Sequence, residues 1–415
     1  MIAQITGTIA SRVVIVAMAM LLTMVAGHQL GTEGLGIIGL VVLGISLVGL
    51  VANLLGGSAL VYLAPRVPLR RLLVPAYSWA VVSCALGYGV LRTAGLVPEG
   101  YAAHTAILAL LQSGISIHLA VLMGQQRIRT HNRITVLQAL VTLFVFTALV
   151  LRPDPSPTAF VIATYCAYSV SLLLTTIALR TGPPLQGEVP ADPLRLLIRQ
   201  GALVQSANGM QLLNHRLAYW LIEKFRGTSA LGLFSVATQL AEGAWLAPRS
   251  LGMVLYSRMS NTTDPVQQSA LTVDMLKLSL ASALAVLLVV LLMPGAVLTW
   301  LFGPEVQGLS PLLLRLAPGI LAIAAAQAFS HYFSGTARNI HNVVSSGIGL
   351  VITLALGSWA IPRYGLSGAA MTASCAYIGQ CSYQAIAFLR ITRVPLRTLL
   401  PGRRDLERIK RIRSR

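Results

Sequence analysis

From Gln205 the chain reads QSANGMQLLNHRLAYWLIEKFR. At roughly 100° per residue, Gln205, Asn208, Gln211, Asn214, His215, Arg216 and Tyr219 fall within an arc of roughly 200° of a helix, with Met210, Leu213, Leu217, Trp220 and Leu221 opposite. Amide side chains donate and accept together, which suits hydroxyl-rich ligands. A guanidinium offers paired donors to a phosphate. One wet face beside one apolar face is recognition chemistry for an anionic amphiphile with a large polar part. Arg216 aligns with Met20 of the first helix, near mid-membrane; the other reading is that it snorkels to the outer interface.

The following segment carries a second polar stripe: Ser235, Thr238, Gln239, Glu242, Trp245, Arg249 and Tyr256. Glu242 and Arg249 are seven residues apart, about 10 Å along a helix axis. They either compensate each other's charge, or Glu242 is a proton-coupling site. Arg12 lies one or two turns inside the first helix, where it either joins the site or snorkels. Asn53 of the second helix aligns with Arg249 of the eighth. Together these are the candidate substrate-binding residues. His28, His118 and His331 read as satisfied interface histidines, and Asp274 and Lys277 as a local pair. Cys84, Cys166, Cys375 and Cys381 sit in apolar stretches without metal spacing. No nucleotide-binding glycine loop, metal cluster or nucleophile elbow is present in the sequence. No cofactor and no catalysis are therefore expected.

The elements that must position these residues are membrane helices. Of 415 residues only 10% are charged, against about 25% in soluble domains, and the mean hydropathy is +0.75. Apolar runs of about 20 residues read as spans. Twelve are predicted, near 9–30, 35–63, 73–95, 103–124, 134–151, 159–180, 205–226, 230–257, 271–293, 311–333, 344–361 and 368–390. Val13–Ala26 leads into no small-residue cleavage site and reads as a span rather than a leader. With a cytoplasmic N-terminus, the inner loops hold eleven basic residues against five outside, and the tail from Arg390 adds ten more. The positive-inside bias thus puts both termini in the cytoplasm. It also accounts for the net charge of +19 without nucleic acid, the tail RRDLERIKRIRSR resting on anionic headgroups.

The chain repeats itself. HQLGTEGLG at 28–36 is echoed by FRGTSALG at 225–232, with Gly31, Thr32, Leu35 and Gly36 matching Gly227, Thr228, Leu231 and Gly232 at an offset of 196. Leu55-Gly56 recurs as Leu251-Gly252 at the same offset, His131-Asn132 as His341-Asn342 at 210, and Cys166-Ala167-Tyr168 as Cys375-Ala376-Tyr377 at 209. The growth in offset predicts an insertion in the 294–310 loop. The expected architecture is all-α: about twelve transmembrane helices in two six-helix lobes, 1–190 and 191–390, followed by a basic tail, 391–415. Six is even, so the lobes are related by a pseudo-twofold along the membrane normal. A Pro/Gly-rich linker, Thr181–Asp192, joins them.

On the phrases LGTEGLGIIGLVVLGISLVGLVANLLGGSALVYLAP (30–65), GLFSVATQLAEGAWLAPRSLGMVLYSRMS (232–260) and PRYGLSGAAMTASCAYIGQ (362–380), the chain resembles the bacterial lipid-linked oligosaccharide flippases, within the multidrug/oligosaccharidyl-lipid/polysaccharide (MOP) exporter superfamily. The resemblance implies an undecaprenyl-diphosphate-linked glycan moved from the cytoplasmic to the outer leaflet of a bacterial inner membrane. It would supply O-antigen, capsule or exopolysaccharide assembly, by alternating access around a cationic cavity. The implied partners are that glycan lipid, membrane lipids and the polysaccharide polymerase machinery. Two relatives compete. Multidrug antiporters use acidic residues in the lobes, and here Glu242 is the one deep acid. Peptidoglycan lipid-precursor flippases usually carry two additional helices. A polysaccharide polymerase would need a larger outer loop than 294–310.

Overall fold

The computed structural model describes residues 2–64, 66–180, 192–245, 248, 264–336, 338 and 340–399. All regular structure among them is helical. The order is α1 Ile2–Ala52, α2 Ser58–Leu63, α3 Leu69–Thr93, α4 Ala102–Gly124, α5 Ile128–Val150, α6 Thr158–Arg180, α7 Pro193–Arg226, α8 Thr228–Gly243, α9 Pro265–Leu291, α10 Gly295–Phe302, α11 Leu309–Gly335 and α12 Ile340–Thr392, with short 3-10 turns at Pro304–Val306 and Leu396–Leu399. Eight of these helices are long and apolar enough to cross a bilayer. Two of them, α1 and α12, are broken by Gly31 and Gly365 and each account for two passes. With α7 and α8 the described chain makes about twelve spans, as hydropathy predicts.

Three departures from the predicted spans have local causes. The run 35–63 is not one helix: α1 stops at Ala52 and α2 starts at Ser58, across the glycine pair Gly56-Gly57. Glycine in a helix interior costs about 1 kcal/mol relative to alanine, and two together end the helix. Second, α7 begins twelve residues before the predicted Gln205. Pro193 occupies its first turn, and the Asp192 carboxylate accepts from the Arg195 N–H at 3.0 Å. This capped start is too polar for a hydropathy window to register. Third, the predicted insertion 294–310 is structured, holding α10 and a 3-10 turn.

The chain divides into two compact units, Met1–Val236 with Gly295–Leu309, and Ala237–Pro294 with Ser310–Arg415. In the second unit an aromatic core forms around Phe329, Tyr332, Phe333 and Phe388, against Val273, Met275 and Leu276 of α9. Beside it runs a buried amide ladder. Gln384 Nε2 donates to Asn342 Oδ1 at 3.0 Å, and Asn342 Nδ2 donates to Ser334 Oγ at 3.0 Å and the Ser330 carbonyl at 3.2 Å. Such bonds hold α11 and both limbs of α12 together where apolar surface has no preference between protein and lipid.

In the first unit the two echoed phrases meet. A Cβ built on Gly36 would run into the Thr228 carbonyl oxygen, and one built on Gly232 into the Thr32 carbonyl oxygen. Thr32 and Thr228, like Gly36 and Gly232, are repeat partners, so the contact is reciprocal. A surface that packs on its own repeat copy in this way has local two-fold symmetry. Gly31 (φ 65, ψ −167) and Gly227 (φ 83, ψ 175) share the same left-handed turn, which is open to glycine and disfavoured for any side chain.

The 295–309 segment folds onto this turn. His28 Nε2 donates to the Trp300 carbonyl at 2.7 Å. Glu305 Oε2 accepts from the Thr32 N–H at 2.7 Å and from Thr32 Oγ1 at 3.0 Å. These two donors hold the exposed Glu305 carboxyl below its usual pKa. A depressed carboxylate stabilises above its ordinary pKa of about 4.3, and that contribution is lost as pH falls through the lowered value. Glu305→Ala is therefore expected to lower the thermal unfolding midpoint slightly at pH 7, in line with an exposed ionic contact. The difference from wild type should shrink on acidification below about pH 4. A Glu305→Ala deficit independent of pH would show that the contact is steric rather than ionic.

Candidate substrate cavity

A cavity of about 470 Å³ opens within the first unit. The second limb of α1 lines it with Val42, Ile45, Ser46, Gly49, Leu50 and Asn53; α4 adds Gln112 and Ser116, α6 adds Phe160 and Tyr168, and α7 adds Gln205 and Leu212. Its size lies within the roughly 300–1,000 Å³ of small-molecule sites. Among the described residues, every polar group in the lining is an amide or a hydroxyl, and none is ionised.

Each amide is placed by a specific contact. Gln205 lies midway between Gly201 and Gly209, on one face of α7 at successive four-residue steps. A Cβ at Gly201 would strike the Leu54 carbonyl oxygen, and one at Gly209 would touch Leu50 Cδ2 at 3.0 Å. The two glycines thus bring α7 close to the end of α1, and Gln205 Nε2 donates to the Leu50 carbonyl at 3.1 Å. Asn53 Nδ2 donates one turn back to the Gly49 carbonyl at 2.7 Å. Its Oδ1 is buried with no partner among the described residues. Leaving such an acceptor unmade costs about 1–3 kcal/mol, a cost that a donor bound in the cavity would relieve. Gln112 Oε1 accepts from Gln138 Nε2 of α5 at 3.4 Å.

Of the residues proposed from the sequence, Asn53 and Gln205 meet in this cavity. Arg12 does not: it lies on the first limb of α1, exposed, and interacts electrostatically with His131 at the start of α5. Gln239 and Glu242 belong to the second unit, half-buried on α8. Asn208, Gln211, Asn214, His215 and Arg216 are on α7, but their side chains lie outside the described residues, as does the whole of Arg249. Of the arc's described members, Gln205 lines the cavity and Tyr219 is buried edge-on to Phe234 at 6.0 Å; on the opposite side Leu213 is exposed and Leu221 buried. The described part of the lining carries no charge, and the side chains of the cations expected beside it, Arg216 and Arg249, lie outside the described residues.

Four lining residues escaped the sequence reading: Ser46, Gln112, Ser116 and Tyr168. Gln112 carried a usable signal, an amide within the apolar run ILALLQSGISIHLA. Polar groups inside a span face the bundle interior by default. Tyr168 sits in the repeated Cys-Ala-Tyr triplet, which marked descent but not location.

His118 is satisfied, as predicted, but deeper than a helix-end position implies. The Thr175 hydroxyl donates to the Ser171 carbonyl at 2.9 Å, so it accepts from His118 Nδ1, also at 2.9 Å. Nε2 is then the acceptor for the Tyr77 hydroxyl. This chain ties α3, α4 and α6 together and leaves the imidazole no free nitrogen.

No family model and no curated protein matches the chain. Solved structures do. An inward-facing multidrug resistance MATE family transporter of the MOP superfamily superposes with TM-score 0.72 at 14% identity, covering 92% of this chain and 94% of that one. Lipid II flippase MurJ, in an inward closed conformation, gives 0.70 at 13%, covering 96% and 89%. A MOP superfamily transporter from Pyrococcus furiosus, described as having a binding pocket of reverse polarity, gives 0.69 at 14%, covering 96% of each. The fold is that of the MOP transporters. Within this MOP fold the cavity lies among α1, α4, α6 and α7, and its chemistry belongs to this chain's own residues.

Proposed function

We propose that this chain is a flippase that moves an undecaprenyl-diphosphate-linked oligosaccharide from the cytoplasmic to the outer leaflet for cell-surface polysaccharide assembly, by alternating access of its two halves. The observation that carries the reading is the set of amides and hydroxyls along the described lining of the cavity. Amides and hydroxyls match sugar hydroxyls, which donate and accept at once. In this reading Gln205 and Asn53, with Asn208, Gln211 and Asn214, contact sugar. Arg216 and Arg249, with Arg12, hold the diphosphate. Glu242 is a charge partner for Arg249 or a proton-coupling group, and Glu242→Gln separates the two. The cytoplasmic termini follow from the positive-inside count, and the basic tail rests on anionic headgroups.

The likeness to lipid II flippase MurJ favours a second reading with the same diphosphate chemistry, in which the cargo is the peptidoglycan precursor. Expression in hosts lacking either flippase separates them. Return of surface glycan in a glycan-flippase-deficient strain is the expected result. Rescue of growth in a MurJ-depleted strain alone would assign the precursor. Resistance to cationic drugs with neither rescue would return the chain to the multidrug antiporters.

A further inference from the structure

The internal repeat predicts a second cavity, and among the described residues of the second unit the corresponding place is held by an aromatic pair. At the offset of 196 that pairs Gly36 with Gly232, Gly49 pairs with Trp245; the Cys-Ala-Tyr repeat pairs Tyr168 with Tyr377. In the first unit Gly49 and Tyr168 both line the cavity. The nearest atom to a Cβ built on Gly49 is Asn53 Nδ2, 3.9 Å away, so the position fronts open space. In the second unit the Trp245 indole packs edge-on against Tyr377, with ring centroids 5.9 Å apart and planes at 75°. An aromatic pair of this geometry is stable and fills volume. The related position thus has no side chain in one unit and the largest side chain in the other.

From this asymmetry we infer that Gly49 keeps the first unit's cavity open as the compartment for the uncharged, hydroxyl-bearing part of the substrate, while Trp245 closes its counterpart. The occupant named here rests on the flippase reading above. The lining supports it independently of the fold. Asn53, Gln112 and Gln205 supply planar amides, and Phe160 and Tyr168 supply ring faces for the C–H side of a sugar; none of the described lining residues is charged.

The test uses the full chain with its four cysteines replaced and Ser46→Cys added as a reporter in the cavity wall. A water-soluble maleimide on detergent-solubilised protein reads access to that wall; surface glycan in the complemented strain reads transport. Gly49→Trp is expected to slow labelling at least tenfold and abolish surface glycan with the protein still in the membrane. Gly49→Ala should change labelling by less than twofold. Should Gly49→Trp fail to reach the membrane, Gly49→Leu carries the same contrast. Unchanged labelling in Gly49→Trp would show that Gly49 does not open the cavity, and the inference falls. Slowed labelling with normal surface glycan would show a closed cavity that transport does not need; the inference falls and the flippase reading survives. Failure of the wild-type chain to restore glycan would remove the flippase reading and the sugar occupant with it, while the labelling contrast would still decide the role of Gly49.

Discussion

Gly232→Val will leave little folded protein in the membrane, and Gly36→Val will do the same. The first added carbon at either position meets a backbone carbonyl of the repeat partner, Thr32 or Thr228. A flexible side-chain tip can swing away from such a contact, but a helical backbone oxygen cannot. Overpacking a tight interface costs about 1–3 kcal/mol even where neighbours can shift, and here both limbs of the turn would have to separate. That separation would strain the seat of the 295–309 segment, whose bonds to His28 and Thr32 lie within two turns of Gly36. The two alanine variants test the reciprocity. Each should destabilise. The double mutant should cost less than the sum, because one separation relieves both clashes. Gly89→Ala on α3 is the control: no atom lies within 4 Å of its Cβ position, so helix propensity alone predicts a neutral change or a gain of about 1 kcal/mol. Thermal unfolding in detergent measures all of these. Wild-type stability in Gly36→Ala and Gly232→Ala would refute the close approach.

Arg216→Ala is expected to abolish glycan export while leaving membrane insertion intact, and Arg249→Ala to do likewise. In the proposed site each guanidinium bonds the diphosphate. A hydrogen bond to a charged group is worth about 1.5–3 kcal/mol, so each bond lost removes roughly tenfold to a hundredfold of affinity. Arg216→Lys should recover little, since an ammonium cannot present the paired fork. The motive lies in the sequence: Arg216 follows Gln205 by eleven residues, three turns along the same helix, and Gln205 lines the cavity. Normal surface glycan in both alanine variants, at wild-type protein levels, would overturn the assignment of the diphosphate site.

The spans were legible because a transmembrane helix must satisfy its own backbone, so apolar length alone announces it. Runs such as 103–124 and 159–180 needed no tertiary partner to be found. The turns were legible where glycine is obligatory, at Gly31 and Gly227, and repetition of the phrase around them disclosed the duplication. By itself, then, the sequence determined the all-helical membrane class and about twelve spans; the compact units have other bounds than the expected lobes 1–190 and 191–390.

Tertiary structure alone decided which polar residues share a space. Asn53, Gln112, Tyr168 and Gln205 stand on four helices, and no periodicity along one helix can say that they line one cavity. Their meeting depends on interhelical distance. Gly201 and Gly209 set that distance by allowing α7 against α1, and in sequence they are two glycines among 36. The place of Arg12 was hidden for the same reason: exposed Arg12 on the first limb of α1 and cavity residue Asn53, just past the end of its second limb, differ in what packs beside them. That the two echoed phrases touch each other, rather than merely resemble each other, was likewise decided in three dimensions, by backbone contacts that a string of residues does not record.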